Sequence, residues 1–142
     1  MNIPYTQAMK IAERMFALLS PQCSIMLTTG GLRRCDHFVD AVEIIVVPNM
    51  VQGPADLFGN TKESSVPVNL SQTISKFGKV TGDPALDKTI KVAINNREGV
   101  LIANATIYIC TEYDHAMFLV ITTAEHTRKI SMLTKLATMG WV

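Results

Sequence analysis

The chain contains the segment Gly30-Gly31-Leu32-Arg33-Arg34, followed by Asp40-Ala41-Val42-Glu43-Ile44-Ile45-Val46-Val47-Pro48. Residues 41–47 are mostly β-branched and nearly continuous in apolar character, which is typical of a central strand covered on both faces. The paired glycines follow a second strand-like run at 24–29 and permit a tight turn there. The sequence therefore predicts two strands separated by a tight, basic turn.

Apolar residues at helical spacing predict three helices. The first begins near Pro4, which the first turn of a helix tolerates, and ends near Ser20. The second has apolar residues at positions 70, 74 and 77 and ends at Gly78. The third covers residues 126–139, where positions 130, 133, 136 and 137 share one face. These helices alternate with strands along the chain.

Further strands are predicted from β-branched runs bounded by turn residues. Residues Thr89–Ile94 and Val100–Cys110 form a hairpin. Residues 49–67 are rich in Gly, Pro, Ser and Asn, which predicts a loop. Met117–Thr123 stays open, because its β-branched content favours a strand whereas the family resemblance described below requires a helix.

The composition indicates one globular domain over residues 1–142. The chain is 48% hydrophobic and 18% charged, and it is long enough to bury a single core. Its net charge of +1 argues against a strongly basic nucleic-acid binder and equally against an acidic mimic of DNA. Nucleic acid is therefore not an expected partner.

Neither a membrane segment nor a secretory signal is expected. No apolar run reaches the roughly 18 residues that a bilayer span needs, and the first residues lack the basic and apolar blocks of a signal peptide. The odd set of Cys23, Cys35 and Cys110 differs from the even disulfide framework of small secreted proteins. We therefore expect a cytoplasmic protein without membrane contact.

The order of motifs resembles that of the small phage-type nucleotidyltransferases related to the family X DNA polymerases. In that family a Gly-Ser-x-Arg-Arg turn precedes a strand with Asp-x-Asp or Asp-x-Glu, and Gly30–Arg34 and Ala41–Glu43 stand at these places. Ala8–Glu13 matches a preceding Ala-x-x-Ile-Ala-Glu helix, and Asp56–Gly59 matches an Asp-Leu-Phe-Gly motif. The resemblance implies an α/β (α+β) fold with a nucleotidyltransferase palm-like mixed β-sheet and helices packed on one face.

The later part of the chain continues the resemblance. The family's third acidic strand, Asp-Leu-Phe-Ile, corresponds to Thr106–Ile109. Its Arg-Thr-Gly turn corresponds to Thr122–Ala124, sixteen residues on from Thr106. The third acid is thus replaced by a threonine, and the arginine and glycine of the turn are replaced by Thr122 and Ala124.

The acidic positions of the family are mostly lost. Phosphoryl transfer there uses divalent ions held by carboxylates that converge on one point. The resemblance places these carboxylates at Ala41, Glu43 and Thr106. Alternate residues of a strand share a face, so Ala41 and Glu43 are expected on one side and Asp40 on the other. Since only Glu43 keeps a carboxylate, we expect no catalytic residue, no metal site, no cofactor, and weak or absent Mg²⁺ binding.

The basic turn is the candidate phosphate-binding site. Backbone amides at Gly30 and Gly31 and the guanidinium groups of Arg33 and Arg34 suit phosphate oxygens. The same residues also fit a solvated turn, with Glu43 pointing into a cleft or pairing with one of the two arginines. Both interpretations stay open on the sequence alone.

Two functions follow from these expectations. The first is a catalytically inactive nucleotidyltransferase-like domain that acts as a binding or regulatory module, such as a phage protein that engages a host protein. The alternative is an active or residual nucleotidyltransferase that binds a nucleoside triphosphate through Gly30–Arg34, with Glu43 assisted by Asp36, Asp40 or a residue of the hairpin. The first predicts a protein partner, such as one in the host cytoplasm, or a nucleotide, and the second predicts a nucleotide.

Self-association is also expected. A palm-like sheet with helices on one face leaves the apolar segments 41–47 and 100–109 without a cover on the other face. Exposed apolar patches of this kind usually mark interfaces, and two-fold dimers are the commonest closed assembly. The sequence therefore predicts a homodimer.

Overall fold

The computed structural model describes residues 2–52, 64–65, 68–84, 86–124, 134–135 and 137–140. The described helices include α1 (Tyr5–Leu19), α2 (Gly30–Arg33), α3 (Val68–Ser75) and α4 (His115–Thr123). Residues 134–135 and 137–138 are helical as well. The strands are β1 (Ile3–Pro4), β2 (Cys23–Thr29), β3 (Phe38–Val39), β4 (Val42–Pro48), β5 (Val51–Gln52), β6 (Ser64–Ser65), β7 (Gly78–Thr81), β8 (Thr89–Asn95) and β9 (Leu101–Ile109). The architecture is the mixed α+β fold that the sequence predicts.

Five strands form the main sheet, in the order β2-β4-β9-β8-β7. Strands β4 and β9 run parallel, and the other neighbouring pairs run antiparallel. The run of β-branched residues in β4 therefore lies between two neighbours, as expected for a strand covered on both faces. Two short pairs, β1 with β3 and β5 with β6, lie outside this sheet.

Helix α1 follows from its apolar spacing. Pro4 precedes it in an extended conformation (φ −61°, ψ 147°), and Ala8, Ala12, Met15 and Leu19 are buried along one face. These side chains are three or four residues apart, so they form one stripe that packs on the sheet. No helix in the described part of the chain is long and apolar enough to cross a membrane.

One face of the sheet carries the main core. Because side chains alternate between faces along a strand, Val42, Ile44 and Val46 point to the side of α1 and α3. They meet Leu70 and Ile74 of α3, which are fully buried. The same core includes further buried residues of the central hairpin, namely Ile90, Val92, Ile94, Ala103, Ala105 and Ile107. This face holds the fold together.

The opposite face is covered only in part. Ile45 and Val47 point to this side and pack against Phe118 and Leu119 of α4. The expectation of helices on one face therefore holds for α1 and α3, whereas α4 lies on the other. The apolar side chains of β4 are covered within the chain, so the reason for expecting a homodimer there does not arise.

Several predicted elements are confirmed, and others differ. Helix α1, strands β2 and β4 and the β8–β9 hairpin form as predicted, and residues 117–123 are helical. The second helix ends at Ser75, and Gly78 begins β7, a strand that the sequence did not predict. The predicted terminal helix falls mostly outside the described residues, and the Asp56–Gly59 motif lies wholly outside them.

Candidate functional site

A cleft of about 340 Å³ lies where β2 ends and β4 begins. Thr29 ends β2, and the two glycines start the four-residue helix α2 instead of a simple turn. The cleft is lined by residues from this turn, the start of β4 and the end of α4, namely Gly31, Arg34, Asp36, Phe38, Val39, Asp40, Ala41, Glu43, Thr122 and Ala124. Most of the candidate positions therefore meet at one place.

The three positions that the resemblance aligns with acidic residues lie side by side. Glu43 is opposite Thr106 across the parallel β4–β9 pair, and it is opposite Thr29 on β2. Opposite partners on neighbouring strands project from the same face. Ala41 stands two residues before Glu43 and lines the cleft with it. The structure thus brings Ala41, Glu43 and Thr106 together, and only Glu43 supplies a carboxylate.

The Glu43 carboxylate is held by its own neighbours. Its Oε1 accepts a hydrogen bond of 2.7 Å from the Tyr108 hydroxyl, and Tyr108 follows Thr106 on the same face of β9. Its Oε2 lies only 1.6 Å from the position that a Cβ would take on Gly30, which has a φ of +62°. Glycine is therefore required at position 30 both by the backbone conformation and by the close carboxylate.

This environment changes the pKa of the Tyr108 phenol. Burial, the hydrogen bond to Glu43 and the charge of Glu43 together raise the pKa of Tyr108 above its ordinary value of 10.0. Burial is the largest of these causes, since it disfavours the charged phenolate. Tyr108 therefore stays protonated and continues to donate its hydrogen bond to Glu43 over the neutral range.

Arg34 has a structural role. Its Nη1 donates to the carbonyl oxygens of Thr123, at 2.8 Å, and Ala124, at 3.4 Å, where α4 ends. Its Nη2 forms an ion pair with Asp36 Oδ2 at 2.9 Å. Cations and donors at a helix C-terminus satisfy the last carbonyl groups. The expectation that an arginine pairs with Glu43 is wrong for Arg34, and Arg33 is exposed.

Hydroxyl groups join α4 to the end of β2. The Thr122 hydroxyl donates to the Phe118 carbonyl at 2.6 Å, so its contact with Thr29 needs Thr29 as the donor. The Thr29 hydroxyl also lies 3.2 Å from that of Thr123. Thr29 and Thr122 are buried, and buried hydroxyls are costly unless they are hydrogen-bonded. Thr122 and Thr123, which the resemblance aligns with the Arg-Thr-Gly turn, therefore fix the position of α4 against the end of β2.

The position of Asp40 corrects one expectation. Asp40 lines the cleft with Ala41 and Glu43 rather than facing the opposite side. The reason is that β4 begins at Val42, so strand alternation does not extend to residue 40. Asp36, Asp40 and Glu43 all line the cleft, but no three acidic, His or Cys side chains in the described ranges are close enough to hold a metal ion.

A second, wider depression continues from the cleft over the open half of the sheet. It measures about 700 Å³ and shares Asp40 and Ala41 with the cleft. Thr106 lines it together with Lys79 and Lys91, and both lysines are exposed. The two depressions differ in charge balance, because the cleft has three carboxylates beside the Arg34 guanidinium and the wider depression has two amino groups beside the shared Asp40.

Sequence reasoning missed Tyr108 and Phe38. Tyr108 could have been found, because it stands two residues after Thr106 on the same strand face and can reach Glu43 on the neighbouring strand. Phe38 lines the cleft and is 62% exposed, which is unusual for an aromatic side chain. Its place beside the cleft depends on the pairing of β1 with β3, which the sequence does not reveal.

Comparison with known proteins does not assign a family. No protein-family model matches this chain, and no curated protein is significantly similar to it in sequence. The resemblance to nucleotidyltransferases therefore rests on the order of the motifs.

Proposed function

We propose that this chain is a catalytically inactive nucleotidyltransferase-like domain that binds a protein partner, such as a host protein engaged by a phage protein in the host cytoplasm. The single observation that carries the proposal is the environment of Glu43. Its carboxylate lies beside Thr106 and Ala41 and accepts a hydrogen bond from Tyr108. A lone carboxylate that is already hydrogen-bonded makes a poor site for the ions that this chemistry needs.

Internal contacts support this proposal, because they satisfy polar groups that a metal and substrate would otherwise engage. Tyr108 donates to Glu43, and Arg34 donates to the end of α4. The hydroxyl groups of Thr29 and Thr122 form a hydrogen bond in the buried part of the same region. Each of these contacts stabilises the cleft without a bound ion. In the proposed function the cleft is therefore a shaped surface and not a reaction centre.

A protein partner fits this surface better than a nucleotide. A triphosphate at the glycine turn would approach the Glu43 carboxylate, and like charges repel unless a metal lies between them. Arg34 is already engaged by Asp36 and by the α4 carbonyls. Phe38, in contrast, offers an exposed aromatic side chain at the cleft, and such side chains often anchor protein interfaces.

Affinity capture from host lysate with two matched variants tests this proposal. Phe38→Ser removes the aromatic side chain at the cleft, whereas Tyr113→Ser removes an aromatic side chain that is 95% exposed beyond the far end of β9. We expect Phe38→Ser to lose the captured protein and Tyr113→Ser to retain it. Added nucleoside triphosphate with Mg²⁺ should not compete.

Two results would contradict the proposal. Retention of the partner by Phe38→Ser would remove the cleft from the interface. Competition by the nucleotide would instead favour the residual nucleotidyltransferase with a triphosphate at Gly30–Arg34. Circular dichroism of both variants should match that of the wild type, since both substituted side chains are exposed.

A further inference from the structure

The two edges of the main sheet differ in length and charge. Among the described strands, β2 forms one edge and β7 the other. Strand β7 has four residues, begins at a glycine and carries Lys79. Strand β2 has seven residues, Cys-Ser-Ile-Met-Leu-Thr-Thr, without a charge, a proline or a glycine. Natural sheets protect their edges with short strands and lysines, and β2 has neither.

The hydrogen-bond pattern shows which backbone groups β2 presents outward. Cys110 N–H donates to the Val46 carbonyl at 2.9 Å, so Val46 directs its peptide groups toward β9. Because peptide groups alternate in direction along a strand, Ile45 and its odd-numbered neighbours point toward β2. Ile45 is opposite Leu27, so Leu27 also bonds across this pair. Met26 and Thr28 therefore point their N–H and C=O groups away from the sheet.

These outward groups have no partner strand within the part of the chain that the structure describes. Such a row of donors and acceptors is a template for pairing with another strand. Ile25, Met26, Leu27 and Thr28 are half-buried, as expected of side chains at an edge with one neighbour. A strand added there would extend the sheet and cover them further.

We propose that β2 pairs antiparallel with β2 of a second copy of this chain, about a two-fold axis near Met26. In this pairing Ser24 lies opposite the second copy's Thr28, and the two copies of Met26 face each other. The strand can pair with its own copy, because β2 has no charged side chain that the contact would desolvate or place against a like charge. The net charge of +1 adds little repulsion between copies.

The pairing is closed and independent of the proposed function. Each copy uses its β2 edge once, so the joined sheet has ten strands and ends at β7 on both sides. A two-fold contact of this kind stops at the dimer. The charged β7 edges then limit further growth of the sheet. Met26 and Thr28 do not line the cleft, so failure of this pairing would leave the proposed function untouched.

Sedimentation velocity over a dilution series from millimolar to sub-micromolar chain tests this inference. Thr28→Pro removes the outward N–H without removing a hydrogen bond to β4, and proline is tolerated in an edge strand at such a position. Thr28→Val keeps both the N–H and the β-branched shape. We expect the wild type and Thr28→Val to form dimers and Thr28→Pro to stay monomeric throughout. A monomeric wild type at every concentration, or a dimer of Thr28→Pro, would overturn the pairing.

Amide hydrogen exchange of the wild type gives an answer that needs no variant. Pairing should slow the exchange of the Met26 and Thr28 amides as concentration rises, because these N–H groups become bonded only in the dimer. The Leu27 amide points to β4 and should be protected at all concentrations. Exchange at Met26 and Thr28 that does not change with concentration would overturn the inference, even if Thr28→Pro fails to fold.

Discussion

The two faces of β4 meet different surroundings. Val42, Ile44 and Val46 are fully buried against α1 and α3, whereas Glu43 on the opposite face lies half-buried in a polar cleft. The first face is held by apolar packing, which tolerates little change in volume. The second face carries at Glu43 a hydrogen bond from the Tyr108 hydroxyl. Substitutions on the first face should therefore cost more unfolding free energy than substitutions at Glu43.

The largest effect that separates the two faces is expected from Ile44→Ala. Ile44 has no exposed surface, and truncation of such a side chain costs about 2–5 kcal/mol of unfolding free energy. Glu43→Gln, the neighbouring control on the cleft face, should cost about 1 kcal/mol, because one hydrogen bond is weakened. Urea denaturation of both variants measures the two losses of unfolding free energy. Equal losses would mean that the cleft face is as essential to folding as the core face.

Introducing acids at the two positions that the resemblance aligns with metal ligands should give the next largest effect. Ala41→Asp combined with Thr106→Asp places two carboxylates beside Glu43, and we expect a loss of about 1–3 kcal/mol. Added Mg²⁺ or Mn²⁺ should recover part of the loss, because an ion that binds only the folded state stabilises it. Thermal unfolding with and without the ions measures this.

Thr81→Asp is the control for the two introduced acids. Thr81 is exposed at the edge strand β7, on the same row of the sheet but away from Glu43. It should show no recovery with metal. Absence of recovery in the double variant as well would mean that the three positions do not converge on one ion.

Substitution of the two arginines should show a smaller difference. Arg34→Ala removes the donors to the end of α4 and the ion pair with Asp36, and we expect a loss of about 1 kcal/mol. Arg33→Ala, at an exposed position one residue earlier, should change stability by less than about 0.5 kcal/mol. Similar losses for both variants in denaturant titrations would contradict the structural role of Arg34.

The smallest effect concerns alkaline pH. The folded-state pKa of Tyr108 is raised, so the stability due to the neutral phenol is complete below 10.0 and is lost as pH rises above it. Cys23 and Cys110, with pKa values raised by burial to about 11 and about 12, add to the same loss. Tyr108→Phe should therefore reduce the alkaline loss without abolishing it. Unfolding free energies of the wild type and Tyr108→Phe at neutral and alkaline pH test this. The same loss of unfolding free energy in both proteins as pH rises would contradict it.

Much of the fold was predictable from local pattern. The stripe of α1, the β-branched run of β4 and the β8–β9 hairpin follow from side-chain periodicity. Helix α4 was ambiguous, because Val120, Ile121, Thr122 and Thr123 favour a strand and only packing makes them helical. Strand β7 was missed since it is short and begins at a glycine, which resembles the end of a helix.

The candidate site was only partly predictable. The motif order placed Glu43, Thr106 and the glycine turn together, and the structure brings them together. The contacts of Arg34 with residues 123 and 124 join positions that are 89 and 90 residues apart. Side-chain chemistry at one position cannot reveal such a partner. Local patterns therefore indicate where a site lies, while its hydrogen bonds depend on the tertiary fold.

Incorporation of labelled nucleotide measures directly whether the cleft around Glu43 is catalytically inactive. The wild-type protein and Glu43→Ala are each incubated with labelled nucleoside triphosphates, an acceptor strand, and Mg²⁺ or Mn²⁺. We expect no incorporation by the wild type above that of Glu43→Ala, because Ala41 and Thr106 have no carboxylate with which to help Glu43 hold the ions that stabilise the transferring phosphoryl group. Metal-dependent incorporation by the wild type that disappears in Glu43→Ala would contradict it.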